Sequence, residues 1–247
     1  MLTYKLTTTL VALYMATLAL AMGVGASPSR IEHSVSTGSQ TSISGKLSII
    51  AQGEIKVSIS DWIENINGNP VLLPPGSLEQ SLAPWIKIDK TQVSVQNGTD
   101  FINYRIEVPP NAEGTYYAAI LLEPATHPRT QVAKGLWLKH RLVLLVPVYL
   151  HIEGTEVPQI KLLDVVKTGD ELTFYVANVG NAAVKTQGVL QGIDAMGNVV
   201  EETLLFDEEF LPGEKRRFQA NRPNGVITRF IITAPGVSPI IWEESRE

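Results

Sequence analysis

The chain contains no cysteine. That excludes thiol catalysis, disulfide scaffolding and zinc sites built on cysteine. Charge is also scarce: 18% of the 247 residues are Asp, Glu, Lys or Arg, below the usual quarter. A long charge-rich disordered region does not fit that figure. The four histidines are His33, His127, His140 and His151, and no two have the i, i+4 spacing of a helical zinc protease. No G-x-S-x-G elbow, P-loop or dinucleotide fingerprint occurs. No amphipathic helix follows residue 27. With no catalytic constellation, no metal set and no cofactor motif, the sequence reads as a non-enzyme. Its formal charge is −5, so it offers nucleic acid no basic surface.

What is present begins with an export signal. Lys5 precedes an apolar stretch over residues 10–22, and Val24-Gly25-Ala26 places small residues before Ser27. This pattern predicts a signal peptide over residues 1–26, cut after Ala26. The alternative is an uncleaved anchor over residues 6–26, which is just long enough to span a bilayer. Either way the rest of the chain lies outside the cytoplasm, and the membrane is met only through this segment. Loss of Lys5 leaves 19 cations against 25 anions, a formal charge of −6.

Beyond the signal, short apolar runs alternate with period two. Ile55, Val57 and Ile59, for example, alternate with Glu54, Lys56 and Ser58. Strands are expected near 46–50, 54–59, 85–89, 91–95, 101–108, 116–122 and 136–152. Asn67-Gly68-Asn69, Pro74-Pro75-Gly76, Gln96-Asn97-Gly98 and Pro109-Pro110-Asn111 supply turns, since Gly and Asn accept positive φ and Pro presets φ. Asn97-Gly98-Thr99 also matches a glycosylation sequon. A polar segment with Gly154 and Pro158 then separates a second series, near 160–166, 172–178, 184–193, 199–205, 215–220 and 226–233. The expected fold is all-β: two tandem immunoglobulin-like β-sandwich domains over residues 27–152 and 153–247, each with its own core. Residues 242–247 read as a polar, frayed tail. Asp207-Glu208-Glu209 reads as a solvated loop rather than a carboxylate pair. Asp61 beside Trp62 reads as a turn or inter-strand feature rather than a sugar site.

The segment 136–152 stands apart. Its even positions, Leu136, Leu138, His140, Leu142, Leu144, Val146, Val148 and Leu150, are aliphatic but for one, and share a face of one long strand. The odd positions begin with Trp137, Lys139 and Arg141 and then become apolar, so the second half reads as buried on both faces. Pro147 cannot donate to a ladder and implies an edge or bulge. A strand of that length exceeds what one sandwich needs, and the surplus could add to another chain's sheet. Arg129, Lys134, Lys139 and Arg141 form a basic cluster around it, on and after a long loop over 123–135. They read either as gatekeepers of an apolar edge or as a docking site for an acidic or carboxylate-bearing partner.

The first domain resembles the periplasmic pilus-assembly (PapD-like) chaperones. The resemblance rests on Asp61-Trp62-Ile63-Glu64-Asn65 with Pro74-Pro75-Gly76, on Trp85-Ile86-Lys87-Ile88, on Tyr104-Arg105-Ile106-Glu107-Val108-Pro109, on Gly114-Thr115-Tyr116-Tyr117-Ala118-Ala119-Ile120, and on the run from Arg141 to Tyr149. It covers about residues 30–152; the second domain agrees in size and position only. The resemblance implies a boomerang of two immunoglobulin-like domains that lends aliphatic side chains of one strand to secreted pilin-like or coat-like subunits. Leu136, Leu138, Leu142 and Leu144 would be the lending residues. The family also holds a subunit's terminal carboxylate with two basic residues. Here the last-strand position holds Val143, and Arg30 and His33 both suit the first-strand position. The rival readings are a structural or adhesive spacer of the cell envelope and a carbohydrate-binding module around Trp62 or Trp85.

Overall fold

In the computed structural model, residues 23–38, 41–126, 129–133, 136–139 and 141–245 are described. The first domain contains β1 (Gly25–Ser27), β2 (Ile31–Ser36), β3 (Thr41–Glu64), β4 (Pro70–Leu73), a single 3-10 turn (Ala83–Trp85), β5 (Ile86–Ile88), β6 (Gln92–Val108), β7 (Gly114–Pro124), β8 (Arg129–Ala133), β9 (Leu136–Lys139) and β10 (Leu144–Glu153). The second contains β11 (Ile160–Thr168), β12 (Glu171–Asn178), β13 (Val184–Ile193), β14 (Val199–Phe210), β15 (Lys215–Asn221), β16 (Ile227–Ala234) and β17 (Val237–Ser245).

β3 organises the first domain. Its first half pairs with β6 over fifteen positions, and its second half pairs with β7 and then β4. The strand order is therefore β2-β10-β7-β3-β6-β5, continuous through one strand that serves both faces of the sandwich. Gly53 and Gly98 carry positive φ (98° and 111°) where the β3–β6 register shifts. A bulge bends its strand, and only glycine takes these angles freely. This corrects the expectation of a turn at Gln96-Asn97-Gly98. The glycine lies within β6, and the runs read as two pairs of strands are one long bent ribbon. Ile, Leu and Val side chains from both halves bury into one core, including Leu47, Ile49, Ile55, Ile102, Ile106, Ile120 and Leu150.

The second domain packs the sheet β11-β12-β15 against β14-β13-β16-β17. Its core centres on rings. Phe206 stacks on Phe218 at 3.9 Å, and Phe174 lies 4.1 Å from Phe230 and edge-on to Trp242 at 5.8 Å. Two expectations fail here. Residues 242–245 belong to β17, because Trp242 is drawn onto Phe174. Asp207, Glu208 and Glu209 belong to β14, opposite Gln187, Thr186 and Lys185, and not to a loop.

Residues 154–159 link β10 to β11. A third cluster, Trp62, Tyr117, Ala119 and Tyr149, joins the domains through Leu211 and Ala183 of the second. Tyr117 meets Trp62 edge-on at 6.2 Å.

Candidate functional site

The segment expected to be one strand over 136–152 is two. β9 pairs with β8 as a separate ribbon, with Leu138 opposite Thr130 and Leu136 opposite Ala133. β10 pairs with β7 from Leu144↔Leu122 onward. Residues 141–143 span the change of partner and lie in no strand. The long loop expected over 123–135 is likewise taken up in part by the end of β7 and by β8. A single extended rod is thus replaced by a hairpin and a core strand, because each half finds a different neighbour.

β10 is buried on both faces. Leu144, Val146, Val148, Leu150 and Ile152 pack on the first core, and Leu145 and Tyr149 on the junction cluster. Its edges are unequal. β7 pairs with it along the whole strand, while β2 joins in parallel only from Val148↔Ile31. Among the described residues, no strand pairs with residues 144–147 on the β2 side. Pro147 stands on this free stretch, as its missing N–H requires. Leu142, just ahead of it, is 48% exposed. The described part of the sequence-derived site is therefore an uncharged edge, Leu144-Leu145-Val146-Pro147, preceded by an exposed leucine.

Of the expected basic cluster, Arg141 is the residue whose side chain lies among those described. Arg141 bonds Glu123 with both ends of its guanidinium (2.6 and 2.9 Å), which ties residue 141 to the end of β7. Arg129 stands opposite Lys139 in the β8–β9 register. Lys134 lies outside the described residues, as do His127 and His140.

Arg30 and His33 have different surroundings. His33 Nε2 lies 3.0 Å from the Tyr104 hydroxyl, and burial lowers its pKa. Arg30 sits just before β2, 4.1 Å above the Tyr149 ring, and reaches across to Glu209 of β14 (2.8 and 3.1 Å) as well as to Glu32. The Glu209 hydrogen bonds hold it more firmly cationic. A carboxylate from the second domain thus already occupies Arg30.

Sequence reasoning missed the junction between the domains. Asp61 is fully buried and accepts bonds from the Ser77 and Leu78 amides and the Ser81 hydroxyl (2.7, 3.1 and 2.6 Å). That is a loop anchor, consistent with its reading as an inter-strand feature. Thr115 donates to Glu156 (2.7 Å) and accepts from the Ala183 amide (3.1 Å). Asn181 receives the Val157 and Thr115 amides. The Arg217 amide donates to Ile66 O (2.8 Å), so the β3–β4 hairpin tip extends the edge of β15. Arg216, with only 5% of its side chain exposed, binds Glu64 of β3 and Glu208 of β14 (3.2 Å). The only signal for these was a set of polar residues beside turns, and many turns look the same.

The chain is similar in fold to solved fimbrial chaperones. A chaperone–tip adhesin complex of CFA/I fimbriae biogenesis matches at 10% identity and a TM-score of 0.49, over 90% of this chain and 98% of that one. The class 5 fimbriae chaperone CfaA matches at 11% and 0.46, over 91% and 100%. The Pseudomonas aeruginosa CupB2 chaperone matches at 11% and 0.40, over 90% and 100%. No protein-family model matches the chain, and no curated protein does. At these identities the likeness describes an arrangement of strands, and no residue's role is carried over from it. Two immunoglobulin-like sandwiches in tandem, the fold implied by the sequence resemblance, is the fold of this chain.

Proposed function

We propose that this is a periplasmic chaperone-like protein that binds secreted pilus or surface-structure subunits by β-strand donation. The observation that supports this reading is the uncharged free edge of β10 at residues 144–147, which follows the alternate leucines Leu136, Leu138 and Leu142 in the sequence. Unpaired backbone groups on an apolar edge are a template for another chain's strand. Alternate side chains could then fill a subunit's open groove at about 1.5–3 kcal/mol each before ordering costs. Export through the segment 1–26 supplies the compartment. The basic residues Arg129, Lys134, Lys139 and Arg141 would flank the docking edge.

A rigid spacer is the second reading, favoured by the hydrogen-bonded junction. Leu138→Asp and Leu142→Asp separate the two. Leu142 is exposed, so a polar residue there costs the free protein little, whereas a charge buried in a client's groove is desolvated without a partner. Both variants are expected to keep the wild-type melting temperature and to lose co-purification of secreted subunits. Retained capture by both variants would favour the spacer.

A further inference from the structure

β1 lies where the sequence alone places the end of the export signal. Gly25, Ala26 and Ser27 pair with Ile50, Ile49 and Ser48 of β3, and Val24 and Ala26 pack against the first core. On its other side this stretch of β3 pairs with β6, as Ser48↔Phe101, Ile49↔Asp100 and Ile50↔Thr99. β7 joins β3 only from Ile55 onward. Among the described residues, β1 is therefore the strand that covers residues 48–50 of β3 on the side away from β6.

A cut after Ala26 separates Val24, Gly25 and Ala26 from the domain they help to build. It takes two apolar side chains from the border of the core and leaves Ser27 as the remnant of β1. It also uncovers β3 backbone groups beside Ile50, which is 49% exposed. An apolar stretch of strand with no neighbour is an association hazard. The sequence holds a second run of small residues that suits processing. Ala19-Leu20-Ala21 puts alanine at the third-last and last positions before a cut. The apolar region then runs from Leu10 to Leu18, within the usual length of about 7–15 residues. With that cut, β1 stays whole.

We propose that the export signal is cut between Ala21 and Met22, and that Val24, Gly25 and Ala26 belong to the mature first domain. A signal peptidase hydrolyses that one peptide bond. Water supplies the hydroxyl of the new Ala21 carboxyl group and a proton of the new Met22 amine. The inference rests on the export reading above and moves its cut by five residues, from Ala26 to Ala21.

The test starts from the full chain, expressed with its own signal. Its N-terminus is sequenced on denatured protein, so the result does not depend on folding. A start at Met22-Gly23-Val24 is expected. A start at Ser27-Pro28-Ser29 overturns the cut and leaves export standing. An intact Met1 also overturns the cut. Found with membranes, it identifies an anchor; found in the cytoplasm, it removes the export reading as well. Ala21→Phe is expected to abolish the species that begins at Met22, because the last position before the cut takes a small residue, whereas Ala26→Phe is expected to be cut as the wild type is. The reverse pattern overturns the proposal. A chain beginning at Met22 is further expected to melt at a higher temperature than one beginning at Ser27. Equal melting temperatures overturn the part assigned to β1.

Discussion

Each domain leaves one long strand partly unpaired, but the two edges differ in charge. β14 borders the second domain's sheet and exposes Val199, Val200 and Leu204. Five of its twelve residues are acidic: Glu201, Glu202, Asp207, Glu208 and Glu209. The free stretch of β10 holds Leu144, Leu145, Val146 and Pro147 and no charge. Natural sheets guard their edges with charge, proline or cover. By that measure β14 is guarded along its length, whereas the edge of β10 has only Pro147. That the apolar edge of β10 lacks the charge that guards β14 supports reading it as a docking edge.

The cores differ as well, and the largest expected effect breaks that contrast. The first core is aliphatic and distributed along a bent ribbon, while the second depends on a few rings. Phe174 touches both Phe230 and Trp242 and is fully buried. Phe174→Ala is expected to cost about 3–5 kcal/mol, the usual range for a buried phenylalanine. Calorimetry should place the loss in the second domain. A loss below about 1 kcal/mol would mean that the ring cluster repacks freely.

The next effect concerns β10 itself. Leu144 begins the free edge yet packs against the first core. Leu144→Asp places a charge among apolar groups and is expected to destabilise the first domain by roughly 2–4 kcal/mol. Denaturant unfolding gives the number. If Leu144→Asp is as stable as Leu142→Asp, the edge does not contribute to the core and the division between lending and packing residues falls.

That division was only half legible in the sequence. The period-two pattern from Leu144 onward marked a strand buried on both faces, and the structure has that strand. The same pattern upstream did not reveal that β9 turns to β8, because alternation carries no record of which neighbour a strand takes. Gln96-Asn97-Gly98 misled for a related reason. A positive-φ glycine marks a turn and a bulge alike, and only the register shift on β3 between Ala51 and Gly53 distinguishes them. Most of the strands were legible from apolar runs and turn chemistry. The junction was not. Arg216, Glu64 and Glu214 are ordinary surface residue types, made important by a contact 150 residues apart in sequence.

The smallest expected effect on stability tests whether charge is what guards β14. Glu202 and Leu204 share a face of the strand, opposite Gln191 and Val189, and both are exposed. Glu202 accepts a bond from Gln191 on β13 (2.7 Å), an exposed contact contributing little. Glu202→Val is therefore expected to change stability by no more than about 0.5 kcal/mol. It extends the exposed apolar surface of Leu204 into a stripe on a free edge. Such a stripe is an aggregation site, so light scattering should show association that rises with concentration, with little change in melting temperature. A variant that stays monomeric at concentrations where other edge strands self-associate would mean that β14 is guarded by its geometry. The missing charge on β10 would then lose its meaning as a mark of function.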